Sequence, residues 1–303
     1  MALILLVGVL AMSSASILIR WAMDGGAPPL VIAAYRLVTA SAALSIPAIR
    51  QHAWNSYTRL STRQIAVLVV SGVLLSLHFA AWVSSLAHTS VMSSVVLVST
   101  TPLWIGLAAP FVLGERTPRL TWLGILFAIG GGVTIGLADW SGGTGLSGWG
   151  NLLALLGAVF GAGYLMIGRG VRTLLPFVAY VWIVYGTAAA VLLTWSVLSK
   201  QALLGYSFDT VACMVALGLI PQLIGHTAAN YALRHLSASF VAITILGEPM
   251  GSTLLAIALL REMPGLGQVF GGLLILVGII LASLGEQRRT PQVTQHTGQG
   301  TSP

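Results

Sequence analysis

The chain has 303 residues, 56% of them hydrophobic and 7% charged, and its mean hydropathy is +0.93. Soluble domains carry roughly a quarter of their residues as charges, so a water-soluble globule is excluded and an integral membrane protein is required. A net charge of +7 and a pI near 10.2 do not indicate nucleic acid, because the basic residues sit at the ends of apolar runs, as topology signals do.

Apolar runs of about 20 residues favour helices over barrel strands. Ten are predicted, at 2–22, 30–49, 64–85, 90–113, 118–138, 149–169, 176–198, 210–232, 237–260 and 265–285. The first, "MALILLVGVLAMSSASILI", lacks a basic leader and suits a spanning helix better than a cleaved signal peptide. The second holds Arg36, a group able to pair with a substrate carboxylate or to snorkel and bond neighbouring carbonyls. The structural role is the expected one. In the third, Ser71, His78, Trp82 and Ser85 fall on one helical face.

The fourth span offers Thr100, Thr101, Pro102 and Trp104, and the sixth Tyr164. Tyr180, Trp182 and Tyr185 lie in the seventh, where Trp182 and Tyr185 are expected to face lipid or pack. The eighth carries Gln222, His226 and Asn230 at steps of four, a polar stripe, and the lone Cys213, which excludes an intrachain disulfide and a cysteine metal cluster. The ninth has a second stripe, Thr244, Glu248 and Ser252, interrupted by Pro249. Residues 287–303 form a polar tail, expected to be disordered.

Ten spans return both termini to one side. If that side is the cytoplasm, its loops hold ten arginines, against Arg20, Lys200 and Arg261 opposite. The positive-inside rule then predicts cytoplasmic termini.

The chain also repeats itself. A shift of 147 residues superposes Pro29 on Pro176, His88 on His235, Pro102 on Pro249, Glu115 on Glu262, Gly124 on Gly271 and Gly131 on Gly278. Five spans per half is odd, so the second half enters the membrane inverted. Such a repeat suits a carrier that opens alternately to either side of a central site.

The halves close on "LGERTPRLTWLGILFAIGGGVTIGL" and "LLREMPGLGQVFGGLLILVGIILA", each preceded by a proline-broken span, "STTPLW" and "LGEPMG". In these elements the chain resembles the drug/metabolite transporter superfamily, in particular its EamA-type ten-helix carriers. Within them it looks most like the YddG-type exporters of aromatic and other neutral amino acids. The second half departs from the pattern, with "LREM" where the first has "LGER". The resemblance implies an all-α integral membrane fold of ten transmembrane helices in two inverted-topology repeats, at 1–140 and 148–286.

The expected substrate-binding residues are His78, Trp82, Thr101, Trp104, Tyr164, Gln222, His226 and Glu248. Glu248, acidic and near mid-span, is also the candidate proton carrier. Pro102 and Pro249 are read as helix breaks, each freeing a carbonyl that must find another partner. Any of the hydroxyl and aromatic groups could instead serve packing, and a lone buried histidine is often only a satisfied core residue. Small-xxx-small pairs at Gly132/Gly136, Gly157/Gly161 and Gly267/Gly271 are expected at close helix contacts.

With only Arg36 cationic inside the spans, a polyanionic cargo is disfavoured. A neutral or zwitterionic metabolite, above all an amino acid moving outward, is the first expectation. Drug or nucleoside efflux competes with it, and a membrane enzyme is a remote alternative that lacks a nucleophile–base pair. No cofactor or metal is expected. The partners are a small-molecule substrate and the bilayer, here a bacterial inner membrane.

Overall fold

In the computed structural model the chain is described for residues 2–112, 118–141, 146–172, 174–225, 228 and 247–287. His226, Asn230, Thr244 and the tail beyond Gln287 lie outside these residues. The described part is almost entirely helical, and nine helices are long and apolar enough to cross a membrane. The remaining expected span, the ninth, is represented by the apolar stretch Gly247–Leu260.

The spans begin where the sequence offers starts. Ser61 and Gln64 form a reciprocal capping box ahead of Thr62–Ser85, satisfying helix N–H groups that would otherwise lack partners. Ser90 caps Val91–Val98, and Ser207 caps Phe208–Leu217. Pro29 opens Pro29–Arg50, and its repeat-equivalent Pro176 caps Phe177–Leu198; at a helix start proline has no hydrogen bond to lose.

The fourth span breaks as expected. It runs as Val91–Val98 and Thr101–Val112, with a turn between. Pro102 has no N–H to offer the Val98 carbonyl, and the Thr101 hydroxyl donates to it instead, at 2.9 Å. The eighth span holds a break that proline duplication does not reveal. Around Pro221, residues Gly218–Gly225 widen into a π-helix, which makes room for the ring in the preceding turn. Pro249 lies, buried, in the first turn of Gly247–Leu255, where the described part of the ninth span begins; the carbonyl it would free, at Ile245, is outside the described residues.

Packing between the halves follows the repeat. The fifth span, Arg119–Ser141, and the tenth, Leu266–Gln287, make the most extensive helix contact of the described fold. A Cβ on Gly124 would strike the Gly278 carbonyl, and one on Gly131 the Gly271 carbonyl. These four glycines are two repeat-equivalent pairs, each meeting the mate of the other, so equivalent helices cross antiparallel. The expected pair Gly132/Gly136 is not at this seam: neither meets backbone, and the close approach falls on Gly124 and Gly131. Third-on-sixth packing, Thr62–Ser85 against Leu146–Arg172, has its counterpart in eighth-on-first packing. Gly225 lies against Gly8 and Met12 in the latter.

At the end of the bundle away from the termini, a chain of polar bonds ties several spans. Arg20 Nη2 donates to Glu262 Oε1 at 2.8 Å and to the Thr89 carbonyl at 2.8 Å. The other Glu262 oxygen accepts from the Val91 N–H at 2.9 Å. Thr89 donates to Asn151, Asn151 to Asp139, and Gln268 to the second Asp139 oxygen, at 2.7, 2.6 and 2.7 Å. At the opposite end, the Tyr57 hydroxyl donates to the Ala179 carbonyl at 2.8 Å. Burial pushes that phenol up to about 12, so it remains a donor at neutral pH.

Candidate functional site

The inverted halves enclose a cavity of about 440 Å³. Every described span except the fifth contributes to its wall. His78, Trp82, Thr101, Pro102, Tyr164, Gln222 and Glu248, all expected from sequence, line it together. Thr101 and Glu248 are repeat-equivalent positions, and both face the cavity. The asymmetry between a hydroxyl in one half and a carboxyl in the other therefore sits in the cavity wall.

The third span reaches the sixth because Gly161 leaves space. A Cβ there would lie 2.9 Å from His78 Nδ1 and 3.3 Å from the Thr101 hydroxyl. His78 Nδ1 is 2.8 Å from the Gly157 carbonyl. A carbonyl only accepts, so Nδ1 carries the proton and Nε2 of the neutral ring is an acceptor. Ser71 and Ser85, on the same helical face, bond to the Tyr164 carbonyl and to Ser94; their role is packing.

Two residues outside the expected binding set also stand in the wall. Arg36, expected to be structural, lines the cavity and is only 2% exposed. Its Nε donates to Gln222 Oε1 at 2.8 Å, which joins the second span to the eighth. Its guanidinium carbon lies 4.3 Å from the Phe79 ring centroid and 5.4 Å from that of Trp82, within cation–π range. A sequence signal existed: an arginine deep in a span needs partners, and Phe79, Trp82 and Gln222 are the available ones. Tyr185, expected to face lipid or pack, also lines the cavity, with Tyr180 and Phe177. Trp182 does pack, its Nε1 donating to Ser45 at 2.9 Å.

Trp104 stands apart from the expected set. Its Nε1 donates to the Thr100 hydroxyl one turn back, at 3.2 Å, and it is not part of the cavity wall. Within the helix Thr101–Val112, Trp104 is two residues on from Pro102 and so points to a different side from it. Among the described residues no three His, Cys, Asp or Glu side chains gather as a metal site would require.

The wall thus presents one guanidinium, one carboxyl, a carboxamide and an imidazole among aromatic rings, between two inverted halves. The profile of the EamA-like transporter family matches the chain twice, over residues 1–137 and 148–284. The chain belongs to this family. The pseudopaline exporter CntI of Pseudomonas aeruginosa strain UCBPP-PA14 is 26% identical to this EamA-like chain over 227 residues, covering 74% of it and 77% of the exporter. A riboflavin transporter of Rhizobium johnstonii is 33% identical over 117 residues, 38% of this chain and 33% of that one. A protein of known crystal structure superposes with a TM-score of 0.64 at 19% identity, over 93% of this chain and 96% of its own. That similarity concerns the fold. The protein is a multi-pass membrane transporter of the EamA-like family.

Proposed function

We infer that this transporter exports small neutral or zwitterionic metabolites, with aromatic or other apolar amino acids first among them. The observation that carries the reading is the pairing of Arg36 and Glu248 in one aromatic-walled cavity. One cation and one acid match one carboxylate and one ammonium, and the rings of Phe79, Trp82, Tyr180 and Tyr185 match an apolar body. A polyanion would meet only one guanidinium and would be repelled by the acid. The cavity is within the range of roughly 300–1,000 Å³ that suits small ligands.

The charge bias of the loops supports cytoplasmic termini in a bacterial inner membrane, and the bacterial relatives agree with that compartment. The bonds from Arg20 through Glu262, Thr89, Asn151, Asp139 and Gln268 then lie at the outer face. They act as an outer latch, holding the carrier shut to the outside while the cavity faces the cytoplasm. Alternating access requires the halves, 1–140 and 148–286, to rock about the glycine seam until the latch parts. Glu248 is the group through which a proton couples to this cycle.

A second reading, a larger heteroaromatic solute, is favoured by the same aromatic wall and by the similarity to a riboflavin transporter. Proteoliposomes separate the two. Uptake of labelled phenylalanine, leucine and tryptophan, competed by riboflavin and by nucleosides, is expected to show amino-acid flux that the other solutes do not suppress.

A further inference from the structure

We propose that Arg36 Nη1 and Trp82 Nε1 together form the seat for the carboxylate of the transported solute. The proposal rests on the amino-acid reading above and deepens it by naming the group on the solute that is recognised.

Among the described residues, five buried side-chain polar atoms have no hydrogen-bond partner. Two of them, Arg36 Nη1 and Trp82 Nε1, belong to residues of the cavity wall. Both residues are more than nine-tenths buried, at 2% and 5% exposure. A buried donor without a partner is costly, so each one in a native structure calls for a partner, water or bound group. Here two donors on neighbouring spans share one wall.

The guanidinium is held rather than loose. Gln222 takes its Nε, and the Phe79 ring lies beneath its carbon at 4.3 Å. Trp82 is steadied by His78, whose ring lies 6.3 Å away at 28°, while His78 is itself tied to Gly157. Both donors are therefore pre-positioned, and neither has to be ordered when a solute arrives.

The complement of two N–H donors, one of them charged, is a singly charged group with two acceptor oxygens. A carboxylate fits that description. The ring faces of Phe79 and Trp82 exclude water from the seat, which strengthens the charge-assisted bond. Glu248, in the same cavity but from the ninth span, is left for the ammonium. Lysine at position 36 would be a poor substitute, because a point charge cannot engage Gln222 and a carboxylate in the same fixed fork.

The test is calorimetric binding to purified full-length protein, which avoids leakage of permeant probes across the bilayer. The probes are phenylalanine, phenylalaninamide and riboflavin. The variants are Trp82→Phe, which keeps a ring and deletes the N–H, and Arg36→Lys, with thermal unfolding confirming that each is folded. The seat predicts that phenylalanine binds wild type at least about tenfold more tightly than its amide, the usual scale for a bond to a charged group. Trp82→Phe should weaken phenylalanine by about tenfold and leave the amide unchanged. Equal binding of acid and amide by wild type would overturn the seat while the amino-acid reading stands. So would equal weakening of both probes by Trp82→Phe. Riboflavin binding with neither phenylalanine nor its amide bound would overturn the amino-acid reading itself, and the seat with it. Should Arg36→Lys fail to fold, Trp82→Phe alone decides between these outcomes.

Discussion

Neutralising Glu262 should release the outer latch. Its two oxygens accept from Arg20 at 2.8 Å and from the Val91 N–H at 2.9 Å, with the ion pair only 23% and 29% exposed. Glu262→Gln keeps one acceptor oxygen and removes the charge. Charge-assisted bonds are about twice as strong as neutral ones, and the net loss over two bonds is about 2 kcal/mol before screening. Partial exposure reduces that to about 1–2 kcal/mol, a shift of roughly 5- to 30-fold between latched and unlatched forms. The assay is labelling of a cavity cysteine, Ser99→Cys in a Cys213→Ser background, by a membrane-impermeant maleimide applied from the outer face. Ser99 lines the cavity, so its labelling rate reports outward opening. It should rise by roughly 5- to 30-fold in the Glu262→Gln protein. An unchanged rate in folded protein would refute the assignment of this network as a latch.

Further predictions address other parts of the fold. Gly131→Leu should destabilise the seam between fifth and tenth spans, because even a Cβ collides with the Gly271 carbonyl; overpacking of this kind costs about 1–3 kcal/mol, read as a lower unfolding temperature in detergent. Glu248→Gln should abolish any dependence of amino-acid flux on an imposed pH gradient, and a gradient response that survives in the variant would remove Glu248 from the proton path. Trp104→Phe breaks only the bond to Thr100 and should leave transport within about twofold of wild type. A large loss would bring Trp104 back into the pathway.

Much of the architecture was legible because lipid imposes a simple rule. Apolar runs must be helical, and their ends, marked by Ser61, Ser90, Pro29 and Pro176, fall within a few residues of the expected positions. The break at Pro102 could be read because proline has one physical consequence inside a helix. Most of the expected site residues meet in the cavity because polar groups in a span have few places to go. What could not be read is rotation. Trp104 turns back to Thr100 and away from the cavity, and Tyr185 is turned inward by how the seventh span packs on the second and third. Arg36 was read as structural because the repeat-equivalent position is Ile183. Its partners, Gln222 and Phe79, come from different spans, and only tertiary structure joins them. The polar network between the halves was hidden for the same reason, since Arg20 and Glu262 are 242 positions apart.

The central claim is that one cavity moves amino-acid zwitterions across the membrane. A substrate panel in proteoliposomes, run with and without a pH gradient, tests it most directly. Saturable flux of apolar amino acids, lost in Arg36→Gln and slowed in Glu248→Gln, is the predicted result. Flux of nucleosides or cationic drugs with no amino-acid flux in the same vesicles would contradict it.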